Sequence, residues 1–389
     1  MKKIAYVFDD INYQSGAQKA TFYQMQCLSE FYDIYAVSLN RPSDSLIIPG
    51  KVLNLDVLWN ESEIYIKRFK NIITGKYSFE KIIRRIGYAI SLRLGLGARF
   101  LEFFLYEGIS DDLEAFDVVI VVSEASKLRS LVGELIKPKK IQWIHTDYKH
   151  WSQYSKWTKA VTNNDSRIYR HFDHIIVLSN ACQAGLISIL PELDDKVVVI
   201  PNMVNYTDIQ DKSIEKVDFK VSDKKYNLVT VGRLDREKNF DRILGVCKFL
   251  ADANVDYSWY FIGNGPMKHY IEKQINKFKL NENVILLGRL ENPYPVMKQC
   301  DIYVLLSDYE GTPITIDEAA VLGLHIIATQ VGGIPEQLNR YGKGILLNNE
   351  NDLYEEFYKA INCLDNKNSV SMRQNNIMIL KHVREIIEA

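Results

Sequence analysis

The sequence predicts an α/β protein of two doubly wound domains facing each other across a cleft, and three observations lead there. Short β-branched runs recur along the chain, most of them separated by one helix-length segment. The runs fall into two sets of about six, and a polar, charged stretch lies between the sets. Alternation of this kind is the pattern of βαβ units wound around parallel sheets, and 389 residues suffice for two domains with separate cores.

In the first set the runs are KIAYVF from Lys3, YDIYAVSL from Tyr32, DVVIVVS from Asp117, KIQWIH from Lys140, HIIVLS from His174 and KVVVIP from Lys196. In the second they are YNLVTVG from Tyr226, YSWYFIG from Tyr257, NVILLG from Asn283, DIYVLLS from Asp301, HIIATQ from His325 and KGILLN from Lys343. The stretch 197–227 reads as an interdomain linker with a hinge near Pro201 to Asn205. The expected boundaries are therefore 1–200, 201–370 and a terminal helical segment, 371–389. In open α/β sheets ligands bind beyond the carboxyl ends of the strands, so polar residues just after these runs carry the function.

Composition removes several classes. A 47% hydrophobic and 25% charged chain is that of a globular protein, and a net charge of −1 gives no global attraction for nucleic acid or membrane. Five scattered cysteines without a CxxC pair argue against a disulfide framework or a zinc site and for a reducing, cytosolic compartment. The opening MKKIAYVFDD has too short an apolar run for a secretion signal, and no apolar stretch approaches the ~20 residues that span a bilayer. One segment stands apart. Between 64 and 99 lie nine basic residues against a single acid, Glu80, with Phe79, Ile82, Ile83, Ile86 and Ile90 at helical spacing. A basic amphipathic insertion of this kind suits an anionic membrane surface. The plainer alternative is a helix that packs its stripe on its own domain.

The chemistry concentrates in YEGTPITIDEA, Tyr309 to Ala319. Pro313 suits the first position of a helix running to about Gly323. The amides at its mouth, Thr312, Ile314 and Thr315, then have no intrahelical acceptor and form an anion site with the helix dipole. Glu318 sits about 6 Å further along the axis, roughly the span from a terminal phosphate to the ribose of a nucleoside diphosphate. Glu310, just outside the mouth, is where a group on the outer phosphate would project. Taken alone the two acids read more readily as a cap and a solvated face. A second feature joins them. GRLDREK places Arg233 and Lys238 after the strand from Tyr226, on the same sheet edge. Two fixed cations and helix amides stabilise a departing diphosphate without a metal. The chain contains no Asp-x-Asp, no phosphate loop of the GxxxxGK[ST] type and no GxGxxG after its first strand.

GRLDREK, FIGNGP, VILLGRL, DIYVLLSDYEGTPITIDEA and TQVGGIPE, in this order and spacing, resemble glycosyltransferase family 4, the retaining glycosyl transferases group 1. The resemblance is strong over 226–347 and continues more weakly through SGAQKA, WIHTDY, HIIVLSNA and VVVIPNMVN. It implies GT-B architecture, two Rossmann-like domains across a cleft. It also implies roles: Glu310 holding donor-sugar hydroxyls, Glu318 the ribose, Arg233 and Lys238 the diphosphate, and the backbone at Arg289 and Leu290 the base. His145, ending the run KIQWIH, matches the family's active-site histidine. Gly16, in Ser15-Gly16, stands in a loop where the family usually carries Gly-Gly.

The function these readings imply is retaining, metal-independent transfer of a sugar from a UDP-sugar to a glycan hydroxyl, without a cofactor. The expected acceptor is a lipid-linked oligosaccharide met at the cytoplasmic membrane face, as in bacterial surface-polysaccharide assembly. Aromatics after the fourth run, Trp143, Tyr148, Trp151, Tyr154, Trp157 and Tyr169, suit either sugar stacking or a core. A non-catalytic GT-B partner of another transferase and a UDP-sugar epimerase on the same scaffold are the alternatives.

Overall fold

The computed structural model describes residues 1–12, 15–39, 42–43, 46–54, 109–342, 344–348, 352–364 and 376–389. The basic stretch 64–99 lies outside the described residues. Thirteen strands build two sheets. The first runs β3-β2-β1-β4-β5-β6-β7, from β1 (Lys3–Phe8), β2 (Asp33–Ser38), β3 (Lys51–Asn54), β4 (Val118–Val121), β5 (Lys139–Trp143), β6 (His174–Val177) and β7 (Val197–Val199). The second runs β10-β9-β8-β11-β12-β13, from β8 (Tyr226–Val231), β9 (Tyr257–Ile262), β10 (Val284–Gly288), β11 (Ile302–Leu305), β12 (His325–Thr329) and β13 (Ile345–Leu347). All the strand pairings described are parallel. Each of the twelve expected runs forms a strand. The sequence reading omitted β3, KVLN, whose four residues at a sheet edge are too few to show a period.

Parallel sheets are covered on both faces, which is why these strands read as unbroken apolar runs. In the first sheet Ala5, Val7, Val119 and Val121 face one cluster, while Ile4, Tyr6, Phe8, Val118 and Ile120 face the other. The second sheet divides the same way, Leu228, Trp259 and Phe261 on one side and Val229, Tyr260 and Ile262 on the other. Both orders reverse direction between two central strands: β1 and β4 in the first sheet, β8 and β11 in the second. Chain leaving neighbouring strands in opposite senses opens a crevice at each reversal, the place where open α/β sheets generally bind ligands.

The helices that matter for the site are α1 (Gly16–Leu28), α2 (Asn180–Ile189), α3 (Tyr206–Ser213), α4 (Phe240–Asp252), α5 (Ile314–Leu322), α6 (Ile334–Tyr341) and α7 (Asn376–Glu388). The linker expectation needs amendment. Residues 197–227 contain β7 and α3, and Asn205 caps α3 by accepting from the Asp208 amide at 3.1 Å. Ile200 and Met203 pack with the first sheet, Val204 and Ile209 with the second. The chain thus crosses as a short, packed step.

The terminal helix α7 crosses back. Its Ile379, Val383, Ile386 and Ile387 recur on one helical face and lie in the first sheet's core, although 172 positions of sequence separate Asn376 from Val204, which it grips by two hydrogen bonds. Removing the Ile387 side chain, which is 1% exposed, leaves a cavity under the first sheet. Ile387→Ala is expected to destabilise the protein by about 2–5 kcal/mol, seen as a lower urea midpoint; an unchanged midpoint contradicts this packing.

Candidate active site

Both reversal points open toward one cleft. After β8 the chain turns through Gly232 and Arg233 to Lys238, after β11 through Ser307 to Glu310, and the two turns are laced together. Asp308 donates its amide to the Glu237 carbonyl (2.9 Å), Asn239 Nδ2 donates to Asp308 (2.7 Å), and Arg242 pairs with Asp308 at 3.0 Å. Asn239 adopts φ +49, in the left-handed region, and its side chain caps α4 by accepting from the Arg242 amide. Asparagine tolerates that conformation better than most side chains.

Within this frame Lys238 Nζ lies 2.5 Å from Glu310 Oε1, both side chains 13% exposed. Ser307 Oγ donates to the same carboxylate at 2.7 Å. Burial works against the Lys238 ammonium, but the Glu310 carboxylate outweighs it, and the lysine holds its proton above the usual range. Nearby Glu237 is pushed up, chiefly by burial and in part by repulsion from Glu310. Arg233 is the exposed member of the pair of cations and meets Asp235 at 3.1 Å. It stands at the turn, without a described contact to Glu310.

The helix α5 begins one residue later than expected. Pro313, with ψ 120, precedes it rather than opening it, and Gly323 ends it at φ +79. A proline amide could donate nothing, so the displacement leaves the amides expected to face an anion unchanged. Ile316 is the first residue of α5 whose amide finds an acceptor, the Pro313 carbonyl at 3.0 Å, so the amides of Ile314 and Thr315 stay at the mouth. The Thr315 and Thr312 hydroxyls are committed elsewhere: Tyr303 donates to Thr315 at 2.6 Å, and Asn202 reaches Thr312 Oγ1 at 3.3 Å. Glu318, one turn in, is 2% exposed and accepts from Tyr294 (2.8 Å) and from Lys19 of the first domain (3.2 Å).

The first domain meets this edge at contact distance. A Cβ on Gly16 would lie 2.6 Å from Ile314 Cγ2, so the start of α1 packs directly on the Ile314 side chain at the mouth of α5. A Cβ on Gly311 would lie 2.1 Å from the His145 carbonyl oxygen. His145 therefore abuts the Glu310–Gly311 turn. Its two ring nitrogens are buried with no partner among the described residues, and burial pulls its pKa from 6.5 down to about 4. At neutral pH it is an uncharged imidazole with one N–H to donate and one lone pair to accept. Buried Glu124 accepts from its amide at 3.2 Å.

Arg289 and Leu290 follow β10 at the sheet's outer end, and Leu290 leans on the core. They sit on the same carboxyl edge, two strands from β8. The aromatics divide. Trp143, Tyr148 and Tyr169 are core residues and leave the binding role, whereas Tyr154 and Trp157 remain exposed. Tyr154 meets Tyr309 edge-on at 5.2 Å. Sequence reasoning missed Lys19, Tyr294, Glu124 and Glu336. Each gains its meaning from a residue more than twenty positions away. Glycines in GNGP and VGGIP were likewise underread. A Cβ on Gly263 would strike the Gly232 carbonyl, and one on Gly332, at φ +51, the Glu310 carbonyl. Those two loops fix the turns that carry Arg233 and Glu310. Among the described residues no group of three or more His, Cys, Asp or Glu could hold a metal ion.

Two Rossmann-like sheets with their reversal points opposed, a buried Lys–Glu pair and a helix mouth between them define a GT-B protein. Residues 211–377 match the family model described as "Glycosyl transferases group 1". It is 31% identical over 201 residues to the phosphatidylinositol N-acetylglucosaminyltransferase GPI3 subunit of Saccharomyces cerevisiae, 51% of this chain and 44% of that protein. It is 25% identical over 193 residues to the N-acetylgalactosamine-N,N'-diacetylbacillosaminyl-diphospho-undecaprenol 4-alpha-N-acetylgalactosaminyltransferase of Campylobacter jejuni, covering 49% and 51% of the two chains. The chain spans about half the length of the curated relatives it matches. The crystal structure of Anabaena Alr3699/HepE in complex with UDP and glucose superimposes over 100% of both chains with a TM-score of 0.68, at 14% identity.

Two outcomes are expected. Gly311→Ala should hold the domains apart, giving a larger radius of gyration by small-angle scattering with unchanged circular dichroism; an unaltered radius refutes the close approach. His145 binds protons more weakly folded than unfolded, so its contribution to stability is complete above pH 6.5 and is lost as pH falls toward about 4. His145→Gln should accordingly flatten the decline of the urea midpoint across that window; an unchanged slope contradicts the buried neutral ring.

Proposed function

We propose that this protein is a retaining glycosyltransferase that moves a sugar from a UDP-sugar to a hydroxyl of a glycan acceptor. The observation that carries the proposal is the convergence of Lys238, Glu310, the α5 mouth and His145 on one point of the cleft. A diphosphate seated at the mouth meets the Ile314 and Thr315 amides and the dipole of α5. Lys238 spends one of its three N–H donors on Glu310 and keeps the others for phosphate oxygens. Arg233, released from Asp235, closes the clamp from solvent. Glu318 takes the ribose hydroxyls, and the backbone at Arg289 and Leu290 lies where the base would extend.

In the reaction the acceptor oxygen forms its bond to the anomeric carbon on the face that the diphosphate leaves. The acceptor proton passes to the departing phosphate oxygen. Charge building on that oxygen meets fixed cations and amides, which cost no reorganisation at the moment of transfer. Glu310 and neutral His145 orient sugar hydroxyls, and no covalent enzyme intermediate is required. Closure of the two domains excludes water that would otherwise hydrolyse the donor.

The relatives support the acceptor class. The names of the yeast and Campylobacter proteins specify transfer to phosphatidylinositol and to a diphospho-undecaprenol-linked sugar, the latter with α stereochemistry. Together with the basic stretch 64–99, this favours a lipid-linked oligosaccharide at the cytoplasmic membrane face, within bacterial surface-polysaccharide assembly. Among the described residues no helix is long and apolar enough to cross a membrane.

UDP release across a panel of nucleotide sugars, with and without lipid-linked acceptors, tests the activity; release independent of acceptor, or a donor converted to its epimer, overturns it. Glu318→Ala should raise the donor KM about 10- to 100-fold, and Arg233→Ala with Lys238→Ala should abolish transfer. Wild-type rates in both variants contradict the site. Transfer should survive EDTA; loss that manganese restores would show a metal-dependent diphosphate.

A further inference from the structure

The buried carboxylate of Glu318 is held from both sides of the cleft. Tyr294, from its own domain, donates to Oε1 at 2.8 Å, and Lys19, from the first domain, donates to the same oxygen at 3.2 Å. No hydrogen bond among the described residues reaches Oε2. Lys19 Nζ also lies 5.5 Å from the Tyr294 ring, so the ammonium, the phenol and the carboxylate form one cluster. Lys19 is half-exposed while Glu318 is 2% exposed. A carboxylate removed from water needs a counter-charge, and here it comes from the opposite domain.

The two helices explain the geometry. Gly16 opens α1 and Ile314 opens α5, and they touch at the missing Cβ. Lys19 stands three residues into α1 and Glu318 four residues into α5, each about one turn from its helix start. The contact at the starts thus places the charges opposite each other. Opening the cleft separates the pair, and closing it restores the pair.

We propose that Lys19 is a positioning residue for donor recognition: it fixes Oε1 of Glu318 on closure and leaves Oε2 to accept the ribose hydroxyls. The proposal rests on Glu318 being the ribose-binding carboxylate. Recognition of the ribose is then completed only in the closed state, because one of the two groups that orient the carboxylate belongs to the other domain. Binding energy for the ribose is thereby coupled to domain closure, and by reciprocity closure is favoured by the ribose. Tyr294, on the same side as Glu318, orients the carboxylate without sensing closure.

The test compares UDP with 2′-deoxy-UDP by calorimetry on the full chain, with scattering in parallel. Wild type should prefer UDP by about tenfold or more, since a charge-assisted hydrogen bond is lost in the deoxy ligand. Lys19→Met should cut that preference about fivefold and lessen UDP-induced compaction, and Lys19→Arg should restore both. Tyr294→Phe should weaken UDP yet leave compaction as in wild type. If Lys19→Met keeps the full preference while Glu318→Gln loses it, the positioning role is wrong and the ribose site stands. If neither variant alters the preference, the ribose site falls and the proposal with it.

Discussion

Backbone meets backbone where the two domains join, and the rest of the site depends on that closeness. Gly311 lies so near the His145 carbonyl of the first domain that a methyl group would not fit, and within the second domain Gly332 lies equally close to the Glu310 carbonyl and fixes that turn. A side chain at Gly311 would push the carboxyl edges of the two sheets apart by an ångström or more. Lys19 would then miss Glu318, and His145 would face water instead of the Glu310 turn. Short-range electrostatics falls steeply with such displacement, and a catalytic group misplaced by about 1 Å forfeits much of its effect.

Charge is placed with corresponding care. Lys238 and Glu310 form a mostly buried pair, which is a weak source of stability because desolvation offsets much of the attraction. Such a pair makes sense as stored polarity, with donors and acceptors already fixed where the proposed transfer would develop charge. Glu336 offers a structural counterpart at the other end of the interface. Its carboxylate accepts from the Asn180 and Ala181 amides at 3.0 and 2.8 Å, capping α2 of the first domain from α6 of the second. Helix starts carry partial positive charge, so this acid binds the domains through a dipole. The closed cleft is therefore held by two acids of the second domain acting on groups of the first, one near each helix start.

Much of this was legible in the chain. The twelve apolar runs declare themselves because parallel strands are buried on both faces, and Pro313 and Gly323 mark the ends of α5 closely. The placement of Arg233, Lys238 and Glu310 after strand ends and of Glu318 inside α5 was legible because turn, strand end and helix turn fix their spacing locally. What failed was also local in cause. KVLN is too short to show a period, Pro313 lies one residue outside the helix it was expected to open, and the linker hides the eight residues of α3 in a polar composition.

The sequence by itself determined the strands, the order of the motifs and the residue types at each strand end, since hydrophobic period and backbone sterics act over a few residues. Only the tertiary structure decided which of those ends face each other. It set Lys19 on Glu318, 299 positions away, put Glu124 beneath His145, and sent Trp143, Tyr148 and Tyr169 into the core while leaving Tyr154 and Trp157 outside. Contacts of that kind arise from how two separately wound sheets dock, and no window of neighbouring residues contains that information.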